Sequence, residues 1–351
     1  MMYITDISCI SPQDTFSNKG FKTKIIPHDK NEYLALEPDY KDLISRPSLR
    51  RMGKNARLGI GAGTPLIRIY PNLDGIIIST GNGGLGESGQ FLKQIFQYEE
   101  GTLTPTKFVN STANSVAGNL ALAGKNSGYN ITYISQGTGF EMALLDALLQ
   151  LEEGNESSFL VGNVDEISPE NTEIENKRGS FKKEVTNSNN LLQSKTKGTV
   201  VGEGSAMFVV SNNPTNMLAK VLDVGMVQST NTLEVQATIL NFLKKNNLKA
   251  QDIDTLIFGF NGDGNGDLFY HQLLDNDFNT QTVLSFKNLV GDYPTVSGFA
   301  LWVASQKGEI PNESVYKIGK KHRKNILIYN HYQNEQHGFI LVENENLIFS
   351  S

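Results

Sequence analysis

The chain has 351 residues, 38% of them hydrophobic and 19% charged, which is ordinary globular usage in a length that suits two domains or two halves packed face to face. Its 31 Lys and Arg against 37 Asp and Glu give a net charge of −6, which leaves no basic footprint for nucleic acid. The single cysteine, Cys9, excludes an intrachain disulfide framework and a cysteine metal cluster, and no apolar run reaches the length of a membrane span, so a cytoplasmic location is expected.

Short apolar runs bounded by Gly, Asn or Asp alternate with longer helical patterns, the signature of an α/β protein built from βαβ units. The first predicted strand, 4–10, carries Cys9 as a buried structural thiol. Strands at 75–79 and 130–134 follow. After Gly137, the residues Phe140, Ala143, Leu144, Ala147, Leu148 and Leu151 recur at helical spacing and predict a central, buried helix. A strand at 159–164 precedes the polar stretch 168–197, whose weak periodicity predicts a long surface loop. A strand at 205–210 leads to an Asn- and Pro-rich seam at 212–216, which divides the chain into 1–214 and 215–351. The second part carries predicted strands at 220–224, 255–260, 282–285, 326–329 and 338–342. Two glycine clusters, 81–86 and 261–267, read as turns; the second lacks the closing glutamate of a twelve-residue calcium loop.

Several stretches together resemble the β-ketoacyl synthase family. The segment from Ser111 to Gly118 is similar to the one before the family's nucleophile strand, Leu160 to Glu166 to its Gly-Gly-x-Asp/Glu strand, and Gly198 to Ala206 to its Gly-Glu-Gly-Ala-Ala strand entry. Thr132-Tyr133-Ile134-Ser135-Gln136-Gly137-Thr138-Gly139 resembles the Ser-Thr-Ala-Cys-Ala-Ser-Gly elbow, with Gln136 at the cysteine. A carboxamide cannot serve as the thiolate nucleophile that such an elbow requires. The family's first histidine falls on Gly259, or on Asn261 after a two-residue shift. The second falls on Asp292, in Lys287-Asn288-Leu289-Val290-Gly291-Asp292. Asn330 to Gln336 stands where the family has Asn-Ser-Phe-Gly-Phe-Gly-Gly, so the resemblance implies that the glycine loop serving the thioester oxygen is lost.

The resemblance implies a thiolase-like five-layered αβαβα fold of two pseudo-duplicated halves, 1–214 and 215–351. It further implies no catalytic residues, with Gln136, Gly259, Asn261 and Asp292 as degenerate positions. Lys287, Glu203, Asn114, Phe140 and Tyr332 are the retained or pocket-lining positions, Lys287 pairing with Asp292 or Glu203. No metal or cofactor is implied. The implied role is that of a chain-length-factor-type subunit in type II fatty acid or polyketide biosynthesis, with a narrower likeness to aryl polyene and flexirubin-type systems. Its partners would be an active ketosynthase, along Ser111 to Gly118 and Tyr129 to Phe140, and an acyl carrier protein. Two alternatives stay open: a decarboxylase or acyltransferase with a rebuilt site, His331 being the relocated base, and a homodimeric acyl-binding scaffold. His322, in the basic run Lys320 to Lys324, reads as part of a solvated loop.

Overall fold

The computed structural model describes residues 1–16, 20–21, 24–101, 103–154 and 157–349. The principal strands are β1 (Met2–Ile10), β2 (Gly75–Thr80), β3 (Tyr129–Ile134), β4 (Ser158–Asp165), β5 (Gly204–Ser211), β6 (Ala219–Gln228), β7 (Thr255–Phe258), β8 (Thr282–Ser285), β9 (Val315–Lys317), β10 (Asn325–Tyr332) and β11 (Gln336–Glu343). The principal helices are α1 (Lys54–Ile69), α2 (Leu85–Gln97), α3 (Pro105–Asn110), α4 (Ser115–Gly124), α5 (Gly139–Glu153), α6 (Pro169–Arg178), α7 (Thr232–Lys245), α8 (Leu268–Asn276) and α9 (Ser297–Ala304). All ten predicted strands are present, with ends that differ by a few residues.

The strands run in the order β9-β8-β7-β10-β11-β6-β1-β5-β4-β2-β3. From β1 outward, β5 and β4 pair antiparallel, then β2 and β3 pair parallel. From β6 outward the same sequence recurs, with β11 and β10 antiparallel, then β7 and β8 parallel. The two halves meet where Met2–Ile4 of β1 pairs with Ala219–Val221 of β6. Strand alternation then sorts side chains into three cores, because both faces of each sheet are covered. Ile77, Phe159, Val161 and Phe208 on one half, and Ile257, Ile328, Ile340 and Val342 on the other, face a middle layer made by α5 and α9. Ile76, Ile78, Leu160 and Val209 pack outward against α1 and α4. Leu256, Phe258, Leu327 and Phe339 pack outward against α7 and α8. These are the five layers of the thiolase-like fold.

The middle layer explains its helices' sequences. Helix α9, SGFALWVA, is apolar all round and buried throughout. On α5 the predicted stripe from Phe140 to Leu151 is buried, each Phe or Leu contributing roughly 1.5–3 kcal/mol relative to exposure. A bulge between Ile4 and Asp6 lets both Ile4 and Ile7 reach this layer.

Two expectations are corrected. The stretch 168–197 is not a loop throughout. Ser168 accepts from the Asn171 amide at 3.2 Å, Pro169 opens α6, and Gly179 closes it at φ 78°. A 3-10 turn follows at Ser188–Gln193. The caps decide this helix, since PENTEIENKR carries no apolar stripe. His322 is buried: its ring lies 2.9 Å from the Thr255 hydroxyl and 2.6 Å from the Asn344 carbonyl, while Lys321 and Arg323 on either side are exposed. No helix among the described residues is long and apolar enough to cross a membrane.

Candidate functional site

Strand β3 ends at Ile134, and the chain turns through Ser135 and Gln136 into α5. Gln136 sits in the left-handed region at φ 42°, a conformation that costs a non-glycine residue about 1 kcal/mol, and its side chain is exposed. The next residue, Gly137, is clamped from above. Its amide donates to the Gln336 side-chain oxygen at 2.8 Å, and an added Cβ would lie 2.1 Å from the Tyr332 Cβ. Tyr332 and Gln336 are a cross-strand pair at the base of the hairpin joining β10 to β11, whose turn residues Gln333 and Asn334 have φ of 53° and 61°. A tight hairpin therefore occupies the segment that the resemblance aligns with the family's glycine loop.

Beside this elbow lies a cavity of about 550 Å³, whose walls include Arg178, Asn261, Asp263, Asp292, His331 and Tyr332. The end of β7 carries one wall. Gly259 is packed behind it: a Cβ there would meet the Asn330 Oδ1 at 2.4 Å and the Tyr270 hydroxyl at 2.6 Å. Of the two positions the resemblance left open for the family's first histidine, Asn261 borders the cavity and Gly259 does not. Asn261 Nδ2 donates to Asp292 Oδ2 at 3.4 Å. Lys287, wholly buried, sits 2.9 Å from Asp292 Oδ1 and donates to the His331 carbonyl at 3.1 Å. Burial raises the Asp292 pKa, and the Lys287 charge opposes that rise.

The segment holding Asp292 is fixed by backbone pairing. Asp292 donates to Val200 at 2.8 Å and accepts from Gly202 at 2.9 Å. Gly202 is obligatory there, because a Cβ would lie 1.9 Å from the Val290 carbonyl oxygen. Asp165, at the end of β4, accepts from the Gly81 amide at 2.8 Å and from the Thr295 amide and hydroxyl at 3.0 and 2.6 Å. That carboxylate ties the first glycine cluster to the same segment. In the second cluster the Asn261 and Gly262 amides donate to Asp267 at 3.1 and 2.9 Å, so an internal carboxylate closes the turn.

The other retained or pocket-lining positions lie apart from the cavity. Glu203 pairs with Lys54 and accepts from the Ala35 and Ile167 amides, so it is not the partner of Lys287. Phe140 is in the middle core against Phe208. Asn114 is exposed and bonds across to Asn130 and Thr132 of β3. Only Tyr332 of that set, with Asn261 and Asp292, borders the cavity.

The chemistry available is limited. A developing enolate oxygen needs donors, yet Asn261 gives its amide to Asp292 and Lys287 is engaged behind it. His331 Nε2 lies 2.9 Å from the Gly266 carbonyl, which makes that nitrogen the donor and leaves Nδ1 as a buried lone pair with no partner among the described residues. Burial, with the Lys287 charge, pushes its pKa well below the ordinary value, so the ring is neutral and a weak base. Two features escaped the motif reading. Gln336 was visible only as a lost glycine. Glu141, three residues before Leu144 on the buried stripe of α5, was a charge at a core position.

The β-ketoacyl synthase N-terminal domain model matches residues 36–249, more than half of the chain. A β-ketoacyl synthase from Burkholderia phymatum STM815 is similar at a TM-score of 0.78 and 13% identity, covering 98% of this chain and 99% of that one. The ketosynthase ApeO in complex with its chain length factor ApeC from Xenorhabdus doucetiae gives 0.75 and 13%, covering 98% of each chain. AntDE:AntF, a type II PKS acyl-carrier protein in complex with its ketosynthase, gives 0.73 and 14%, covering 98% of this chain and 99% of that one. No curated protein sequence matches. With the family model over most of its length and the thiolase-like layers complete, this chain belongs to the β-ketoacyl synthase family.

Proposed function

We propose that the chain is a non-condensing subunit of the chain-length-factor type, which pairs with an active ketosynthase and bounds its acyl tunnel in type II fatty acid or polyketide biosynthesis. What supports this reading is that the positions the resemblance aligns with the family's catalytic groups carry neither a cysteine nor a histidine. Gln136 stands at the elbow, and an Asn261–Asp292 pair held by Lys287 stands on the cavity wall. The exposed surface supports pairing. Among the described residues, strand β3 is the outermost strand of its sheet, with no neighbour beyond it. Around it Ile134, Leu122, Met142 and Leu149 are 53%, 80%, 37% and 53% exposed, an apolar surface of the kind that marks an interface. The similar structures described as a ketosynthase with its chain length factor, and as a ketosynthase with its acyl-carrier protein, point to the same classes of partner.

The test is co-expression with an active ketosynthase, followed by a malonyl-carrier condensation assay on each subunit and on the complex. The reading requires activity only in the complex, unchanged by Gln136→Ala and altered in product length by a bulky side chain at Gly118, which has open space around it. Turnover by this chain alone, lost on changing Gln136, Asp292 or His331, would overturn it in favour of a rebuilt enzyme.

A further inference from the structure

Resting on the non-condensing reading, we propose that Gln336 is a positioning residue whose carboxamide occupies the Gly137 amide, in the 3-10 turn Gln136–Thr138 that runs directly into α5, so the elbow is closed to acylation independently of the missing nucleophile. The geometry is specific. The Gln336 oxygen takes the Gly137 amide at 2.8 Å, and its cross-strand partner Tyr332 covers the same glycine. The first amides of a helix are its unsatisfied donors, and they would otherwise face an anion or a carbonyl oxygen at residue 136. Two residues along the same face of β11, Gly338 makes room for Glu141 on the first turn of α5, its ideal Cβ lying 2.2 Å from the Glu141 Oε1. Side chains at i and i+2 of a strand point to one face, so β11 addresses the start of α5 with both a cap and a gap. Restoring a thiol at 136 is therefore insufficient to restore a reactive elbow.

The test is thiol chemistry on the full chain, purified alone or with its partner and read by peptide-resolved mass spectrometry. Gln136→Cys is introduced with Cys9→Ala, and alkylation by iodoacetamide is followed against pH; the thiolate sulfur forms a bond to carbon as iodide leaves. Gln136→Cys alone is expected to titrate like an ordinary exposed thiol, near ~8.5. Adding Gln336→Met, similar in shape but without the carbonyl, frees the Gly137 amide. That change is expected to lower the midpoint by about one pH unit, raising the alkylation rate at pH 7 roughly fivefold. Gln336→Glu, which keeps an acceptor, is expected to hold the slow rate. A depressed midpoint in Gln136→Cys alone overturns the proposal, even if the Met variant fails to fold. So does an unchanged rate with Gln336→Met, or a fast rate with Gln336→Glu. None of these readouts depends on condensation in a complex, so failure here is distinct from failure of the pairing reading.

Discussion

Glu141→Gln gives a sharp test of how the middle layer is built. Glu141 is 1% exposed, and neither carboxyl oxygen has a well-aligned hydrogen-bond partner among the described residues. Burial raises its pKa from 4.5 to about 7, with the Ser297 hydroxyl acting weakly the other way. A raised acid favours the folded state only while it is protonated. Its contribution is fully present below the unfolded value of 4.5 and is lost as pH rises through about 7. At 1.36 kcal/mol per pH unit, the folded state forfeits on the order of 3 kcal/mol by pH 8.5 relative to pH 4. The neutral glutamine removes this term and leaves every other titrating group in place. The stability of Glu141→Gln minus that of the parent is therefore expected to rise by about 3 kcal/mol between pH 4 and 8.5, measured by urea unfolding at each pH. A difference that stays flat across that range would refute the reasoning and mean that the carboxyl reaches solvent or a partner when charged.

Lys287→Met leaves Asp292 buried without its cation and is expected to cost roughly 3 kcal/mol or more, while adding Asp292→Leu recovers most of that in chemical unfolding. Gly202→Ala drives a Cβ into the Val290 carbonyl, so a loss of about 3 kcal/mol is expected, with disordering of the Asp292 segment visible in hydrogen exchange. Ile134→Lys on the open edge is expected to change the stability of the isolated chain by no more than about 0.5 kcal/mol. The same substitution should abolish co-purification with a ketosynthase partner.

Strand positions and the buried stripe of α5 were legible from the residues, because apolar alternation is a local property. The stretch 168–197 was misread because the caps Ser168 and Gly179, rather than an apolar face, make its helix. Which of Gly259 and Asn261 borders the cavity could not be read along the chain. It depends on Asn330 and Tyr270, from a neighbouring strand and helix, filling the space behind Gly259. The partner of Lys287 was open for the same reason, since Glu203 is engaged by Lys54, which is remote in sequence. What the sequence by itself determined was the α/β layering and its strands and buried helix stripe, since periodicity is carried residue by residue. Only the tertiary structure decided which polar groups meet: the Gln336 cap on Gly137 and the Lys287–Asp292–Asn261 cluster. Those contacts join residues up to 199 positions apart, so the fold and not the local sequence brings them together.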